Sequence, residues 1–108
     1  MKDYDVKITN RALGDMEDIY NYIALELHVP ETAMRQYNRI ADAIESLAQS
    51  PKRCRLLDSQ PERDRGMRQK LIDNYTAVFV VDDELHTVTV LRVLYSASDI
   101  NARLRGEC

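Results

Sequence analysis

The sequence predicts an α+β fold, in which a helical hairpin packs on a small, curved and mostly antiparallel sheet in the order βααβββα. Three observations lead to this prediction. In the first half of the chain, apolar residues recur at three- and four-residue steps over two stretches, which is typical of amphipathic helices. Residues 67–95 are instead alternating or β-branched, which is typical of strands. A chain of 108 residues has room for one hydrophobic core, so residues 1–108 are expected to form a single domain.

The first half of the chain is predicted to form one strand and two helices. Residues 4–9 alternate between apolar and polar side chains, as a half-buried strand does. Thr9 or Asn10 can cap the first helix, Pro30 fits the first turn of the second, and Pro51 stops it. The short break between the two helices predicts an antiparallel hairpin. The predicted apolar stripes are Leu13, Met16, Ile19, Tyr20, Ile23 and Leu27 in the first helix, and Ala33, Tyr37, Ile40, Ala41, Ile44, Leu47 and Ala48 in the second.

The second half is predicted to form a three-stranded meander after a long loop. Residues 52–66 are polar and lack periodicity, so they form the loop. Residues 67–72 and 75–81 form a hairpin around an Asp-Asn turn, and an acidic turn leads to a last strand over residues 85–95. A short C-terminal helix follows a cap at Ser98 or Asp99.

Composition excludes several classes of protein. No apolar run approaches the roughly 20 residues that a membrane helix needs, so we expect no membrane partner and a cytoplasmic location. Cys54 and Cys108 have neither the number nor the spacing of a disulfide framework or a zinc site. The sequence also has no glycine-rich phosphate loop and no paired histidines, so no cofactor is expected.

Isolated acidic residues and histidines are predicted to be ordinary surface groups. Asp15 and Asp18 share the helix face opposite the predicted apolar stripe, where carboxylates normally only interact with water. His28 falls in the turn between the helices and His86 beside an acidic turn. Neither pair has the surroundings of an acid–base catalyst.

The candidate site is a group of cations on the sheet. Residues 51–81 carry seven Lys/Arg against four Asp/Glu, in a chain whose pI is near 5.3. Arg68 and Lys70 are two residues apart on one strand, so they share a face, and Arg92 on the last strand could join them. Three converging cations would suit phosphate binding, and Tyr95 is placed to stack on a base or to donate a proton. In the alternative, the arginines only pair with nearby carboxylates.

Several segments together resemble the RelE/ParE superfamily of type II toxin–antitoxin toxins, which includes plasmid-stabilisation modules. The similarity covers nearly the whole chain and is carried by residues 4–9 (YDVKIT), 12–24, 66–71 (GMRQKL), 74–75 (NY) and 88–95 (VTVLRVLY). The fold that the resemblance implies agrees with the order βααβββα. The chain resembles the ParE-like branch more closely than the RelE-like branch.

The resemblance implies two possible targets. ParE-like members are not enzymes and act against DNA gyrase, whereas RelE-like members are endoribonucleases that cleave mRNA on the ribosome. On the RelE pattern, Arg68 and Lys70 fall on two catalytic basic positions, with Arg92 and Tyr95 as the remaining candidates. Thr76 replaces an expected arginine, however, and residues 94–98 contain no basic residue. Growth inhibition through gyrase is therefore the first expectation, and mRNA cleavage is the alternative.

The resemblance also implies a cognate antitoxin as partner, with operator DNA bound only through that antitoxin. A third possibility is a decayed toxin that only binds its antitoxin and takes part in autoregulation. The apolar residues that could serve an antitoxin groove are Val6, Ile8, Leu91 and Val93, although core packing is the alternative role for each.

Overall fold

A computed structural model describes residues 3–57 and 62–97 of the chain. It has two helices on a four-stranded mixed sheet, which confirms the predicted α+β class. The predicted C-terminal helix, with Ile100 and Leu104, lies outside the described residues. The elements are β1 (Asp5–Ile8), α1 (Asn10–Asn21), α2 (Pro30–Glu45), β2 (Arg68–Ile72), β3 (Tyr75–Asp82) and β4 (Thr87–Tyr95).

The sheet order is β1-β4-β3-β2. Strands β2, β3 and β4 form the predicted antiparallel meander, and β1 adds to β4 in parallel, with Ile8 opposite Val90. The register between β3 and β4 shifts between Val78 and Phe79, which leaves Leu91 as an extra residue in β4. Such a β-bulge bends the strand and changes which side chains share a face beyond it.

Thr9 joins the sheet to the first helix. Its backbone N–H and its hydroxyl both donate to the carbonyl oxygen of Val90, at 3.1 and 3.0 Å. The same hydroxyl oxygen accepts the N–H of Ala12 at 3.1 Å, so Thr9 is the predicted N-cap of α1. The first strand therefore ends, and α1 begins, against the middle of β4.

The first helix ends differently from the prediction. After α1 the chain makes a π-helical turn, Tyr22–Glu26, and then passes through His28 at a φ of 59° before α2 begins at Pro30. A π-helical turn fits an extra residue into the helix, so the side chains after it are rotated around the axis. Leu27, predicted to continue the buried stripe, is consequently 52% exposed.

The core lies between the hairpin and one face of the sheet. The buried side of α1 is centred on Ala12 and Met16, while Leu13, predicted to be buried, is 37% exposed. No helix in residues 3–57 and 62–97 is long and apolar enough to span a membrane. The buried core cluster consists of Ala12, Met16, Ile40, Ile44, Leu47, Ile72, Ala77, Phe79, Val88, Val90 and Val93.

Candidate functional site

The three predicted cations do not converge on one face of the sheet. Lys70 lies opposite Ala77, and Ala77 lies opposite Val93, whereas Arg92 lies opposite Val78. Directly opposed residues of antiparallel strands project from the same face, and Ala77 and Val78 project from opposite faces. Arg92 is therefore on the face away from Lys70, and the expectation that it joins the other cations is wrong.

Arg92 is instead held by Asp15 of α1. Its Nε donates to Asp15 Oδ2 at 2.7 Å and its Nη2 donates to Oδ1 at 3.0 Å, so the pair is bidentate. The side chains are only 10% and 11% exposed. The hydrogen bond to Asp15 raises the pKa of Arg92, against the opposing effect of burial. Asp15 is thus not the surface carboxylate that the sequence predicted.

Asp15 also completes the hydrogen bonding of β4. Strand β1 pairs with β4 only as far as Val90, where the chain turns away into α1. Among the described residues, no strand follows β1 along this edge of β4. The N–H of Val93, which lies on this uncovered part, donates to Asp15 Oδ2 at 2.9 Å. One carboxylate therefore satisfies both a guanidinium and a strand edge.

The other cations have different surroundings. Arg68 Nη1 donates to the backbone carbonyls of Cys54 and Lys52, at 2.7 and 3.3 Å, so its side chain fixes the loop that precedes β2. Lys70, by contrast, makes no hydrogen bond or ion pair with any part of the described chain. Tyr95 is 53% exposed at the end of β4, and its ring packs edge-on against Tyr75 at 6.0 Å.

A groove of about 590 Å³ lies beside Tyr95, between the end of α1 and the ends of β3 and β4. Burial raises the pKa of Tyr75 within it, and the neighbouring Tyr95 and Tyr22 raise that pKa further. Three tyrosines from three elements therefore meet in this groove. Its lining residues are Asp15, Asp18, Ile19, Tyr22, Leu27, Asn74, Tyr75, Val93, Leu94 and Tyr95.

Comparison with known proteins identifies the family. A family model described as the ParE toxin of the type II toxin–antitoxin system parDE matches residues 6–100. The chain belongs to this family. The predicted resemblance to the RelE/ParE superfamily is thereby confirmed, and the ParE-family chain is a type II toxin of that superfamily.

Solved structures agree on the fold. The ParE-family chain is similar to a chain of the chromosomal ParDE system from P. aeruginosa, with a TM-score of 0.68, 24% identity, and coverage of 85% of this chain and 95% of that one. For a chain of the RelBE2 toxin–antitoxin complex from Mycobacterium tuberculosis, the TM-score is 0.64 at 22% identity, and the match covers 86% of this chain and 98% of that one. For a mutant RelE toxin from E. coli in the free state, the TM-score is 0.60 at 18% identity, and the match covers 97% of this chain and 93% of that one. Comparison with curated proteins gives no significant match.

Two sites in the ParE-family chain were missed from the sequence. Asp15 lies three residues after the buried Ala12 and four before Ile19, so helical spacing alone could have placed it beside the core. For the tyrosine groove, the sequence offers only a weak signal, which is that six of the seven aromatic residues are tyrosine. Within the described ranges, no group of three or more His, Cys, Asp and Glu residues could hold a metal ion.

The β2–β3 turn at the rim of the groove is fixed to α2 by Asp73. Its Oδ2 accepts hydrogen bonds from Arg39 Nε at 2.7 Å and from Gln36 Nε2 at 3.1 Å, and its Oδ1 accepts one from Arg39 Nη2 at 2.8 Å. The hydrogen bond from Arg39 is the main cause of a lowered Asp73 pKa, followed by that from Gln36. The contacts therefore favour the ionised carboxylate.

The Asp73 carboxyl is expected to titrate below the ordinary aspartate value in a ¹³C NMR titration of the ParE-family chain. The pKa of Asp73 is lower in the folded chain than in the unfolded chain. The carboxylate therefore contributes its full stabilisation at a pH above the pKa of the unfolded state. This stabilisation is lost as the pH falls through the pKa of the folded state. The Arg39→Gln variant should return the midpoint toward the ordinary value, and Gln36→Ala should do so less. An Asp73 midpoint that Arg39→Gln leaves unchanged would contradict this assignment.

Proposed function

We propose that this ParE-family toxin stops bacterial growth by binding DNA gyrase as a protein inhibitor. The observation that carries the proposal is the separation of Arg92 from Arg68 and Lys70 by the register of the sheet. RNA cleavage without a metal ion requires cations placed where charge develops on the phosphate. A protein inhibitor has no such requirement.

The state of each cation supports the same conclusion. Arg92 is neutralised by a bidentate carboxylate and is nearly buried. Arg68 is committed to loop carbonyls, so using it on a phosphate would release the loop. Of these three cations, only Lys70 has a charged group that makes no hydrogen bond or ion pair within the described chain. A single lysine is a weak basis for phosphoryl chemistry.

The exposed surface suits a protein partner. Tyr22, Leu25, Leu27 and Val29 lie close together in sequence at the end of the hairpin and are between 41% and 67% exposed. Clusters of exposed apolar and aromatic residues are typical of protein interfaces. We assign the toxin two protein partners: gyrase as target and a cognate antitoxin as inhibitor, with operator DNA reached only through the antitoxin. The P. aeruginosa and M. tuberculosis relatives come from toxin–antitoxin systems or complexes.

The test is to induce the chain alone in a bacterial host and to follow label incorporation into DNA and protein during the first minutes. DNA synthesis is expected to stop first, and chain made by cell-free synthesis should inhibit supercoiling by purified gyrase. Lys70→Ala should leave both effects intact. If translation stops first and gyrase is unaffected, the proposal fails.

One observation favours the alternative, ribosome-dependent cleavage of mRNA. Tyr95 lies opposite Tyr75, which in turn lies opposite Ile72. Because Ile72 and Lys70 are two residues apart on β2, Tyr95 projects from the same face of the sheet as Lys70. In that case Arg68, Lys70 and Tyr95 would be the catalytic candidates, while Arg92, on the opposite face of the sheet, would not take part. Lys70→Ala would then lower the cleavage rate by on the order of 100-fold, as loss of one transition-state donor does. Normal growth with both syntheses unaffected would instead indicate a decayed toxin.

A further inference from the structure

The groove beside Tyr95 has a chemistry that gyrase inhibition does not explain. We propose that it binds a cationic side chain, arginine or lysine, carried by a segment of a partner polypeptide. The inference goes beyond the proposed function, because it concerns what the groove recognises and not which cellular process is inhibited.

Three tyrosine rings line the groove. The rings of Tyr75 and Tyr95 are 6.0 Å apart at 62°, so their faces point in different directions around the groove. Tyr22 lines the same groove from the helical side and is 57% exposed. The faces of aromatic rings attract ammonium and guanidinium groups, and several rings around one space are a recurrent way to bind them.

The charged residues that line the groove are acidic. Among the described residues that line it, two are acidic and none is basic. The charge of Asp15 is balanced by Arg92, whereas Asp18 makes no ion pair within the described chain. Leu27 lies at the C-terminal end of the helical segment, where backbone carbonyls give the helix dipole its negative end. An entering cation would therefore meet one unbalanced carboxylate and a favourable dipole.

Size and polarity favour a polypeptide segment over a small free cation. At about 590 Å³ the groove is larger than one arginine head group. The side chains of Ile19, Leu27 and Val93 provide apolar walls on which the aliphatic stem of arginine or lysine can pack. The exposed Leu25 lies close by in the chain and offers contact to residues that flank the cation.

The test uses the ¹⁵N-labelled full chain, made by cell-free synthesis, and the capped pentapeptide Ala-Ala-Arg-Ala-Ala. NMR signals of Tyr22, Tyr75 and Tyr95 are followed during titration. We expect saturable shifts confined to the groove, with affinity about tenfold higher than for the same peptide carrying neutral citrulline. Choline, a small quaternary ammonium, serves as the comparison for a free cation and should bind more weakly than the peptide.

Variants at exposed positions test the roles of the carboxylate and of the aromatic ring separately. Asp18→Asn is expected to weaken peptide binding several-fold, while Asp42→Asn, on the exposed surface of α2, should have no effect. Tyr22→Phe keeps the aromatic face and should retain binding, whereas Tyr22→Leu should weaken it. Amide spectra outside the groove serve to verify that each variant is folded.

Three outcomes would overturn the inference. Equal binding of the arginine and citrulline peptides would show that charge is not recognised. Shifts outside the groove, or none at a peptide concentration of about 10 mM, where even a ligand with millimolar affinity is mostly bound, would show that the groove is not a site. Choline binding as tightly as the peptide would show a site for small cations. Gyrase and antitoxin are absent from the experiment, so its result is independent of the proposed function.

Discussion

Replacing Asp15 with alanine is expected to lower the free energy of unfolding by about 3–5 kcal/mol, the cost of leaving a buried charge without its partner. Arg92 is only 10% exposed and directs two of its donors at this one carboxylate. The substitution also leaves the N–H of Val93 without its acceptor. Small domains are stable by only about 5–15 kcal/mol, so the variant should lose a large part of its stability, measured by urea unfolding.

Removing both charges distinguishes the cost of an unpaired buried charge from the cost of lost side-chain packing. The double variant Asp15→Leu/Arg92→Leu should be more stable than Asp15→Ala, because apolar replacement of a whole buried pair avoids the unpaired charge. Arg39→Ala is the surface control: it also breaks a bidentate arginine–aspartate pair, but Arg39 is 61% exposed. The loss in the free energy of unfolding should be clearly smaller for this variant than for Asp15→Ala. Equal losses for Asp15→Ala and Arg39→Ala would mean that burial does not strengthen the Asp15 pair.

Replacing Phe79 with alanine is expected to cost about 3–5 kcal/mol, as deletion of a buried aromatic ring does. Among the described residues, Phe79 is the largest completely buried side chain, and it lies on the interior strand β3, opposite Val90 of β4 and Arg68 of β2. Its ring fills the space between the sheet and the helices at the β-bulge. The cavity left by alanine cannot collapse easily, because strands on both sides hold the backbone in place.

Leu71→Ala is the control for this substitution. Leu71 is on the neighbouring strand β2 but is 68% exposed, so its truncation should change the free energy of unfolding by no more than about 0.5 kcal/mol. Urea unfolding of both variants, with similar m-values, makes the comparison. A Phe79→Ala variant that unfolds at the same urea concentration as Leu71→Ala would indicate a core that repacks around the missing ring.

The elements of the fold could be predicted because their signals are local. Thr9 before a helical period, Pro30 in a first turn and the β-branched run after Asn74 each act within a few residues. The π-helical turn Tyr22–Glu26 has no such local signal, and it rotates the end of the apolar stripe. Leu27 was therefore predicted to be buried although the neighbouring sequence was assigned correctly to a helix.

The candidate site was less predictable because it depends on pairing over long distances. Asp15 and Arg92 are 77 residues apart, and the arrangement of Arg92 depends on a single extra residue in β4. A shift of one residue moves a side chain to the other face of a sheet, so the register decides whether three cations converge. Periodicity can place Arg68 and Lys70 on one face but contains no information about the register of a strand formed much later.

The parallel pairing of β1 with β4 has a consequence for synthesis on the ribosome. Thr9 and the carbonyl of Val90 that it contacts are 81 residues apart, so the first strand has no partner until almost all of the described chain has been made. At about 5–20 residues per second, this leaves β1 without its strand partner for several seconds, although α1 can already pack on α2. A chain released early would lack β4, the strand that binds both β1 and β3. Interrupted translation should therefore yield fragments without toxic activity.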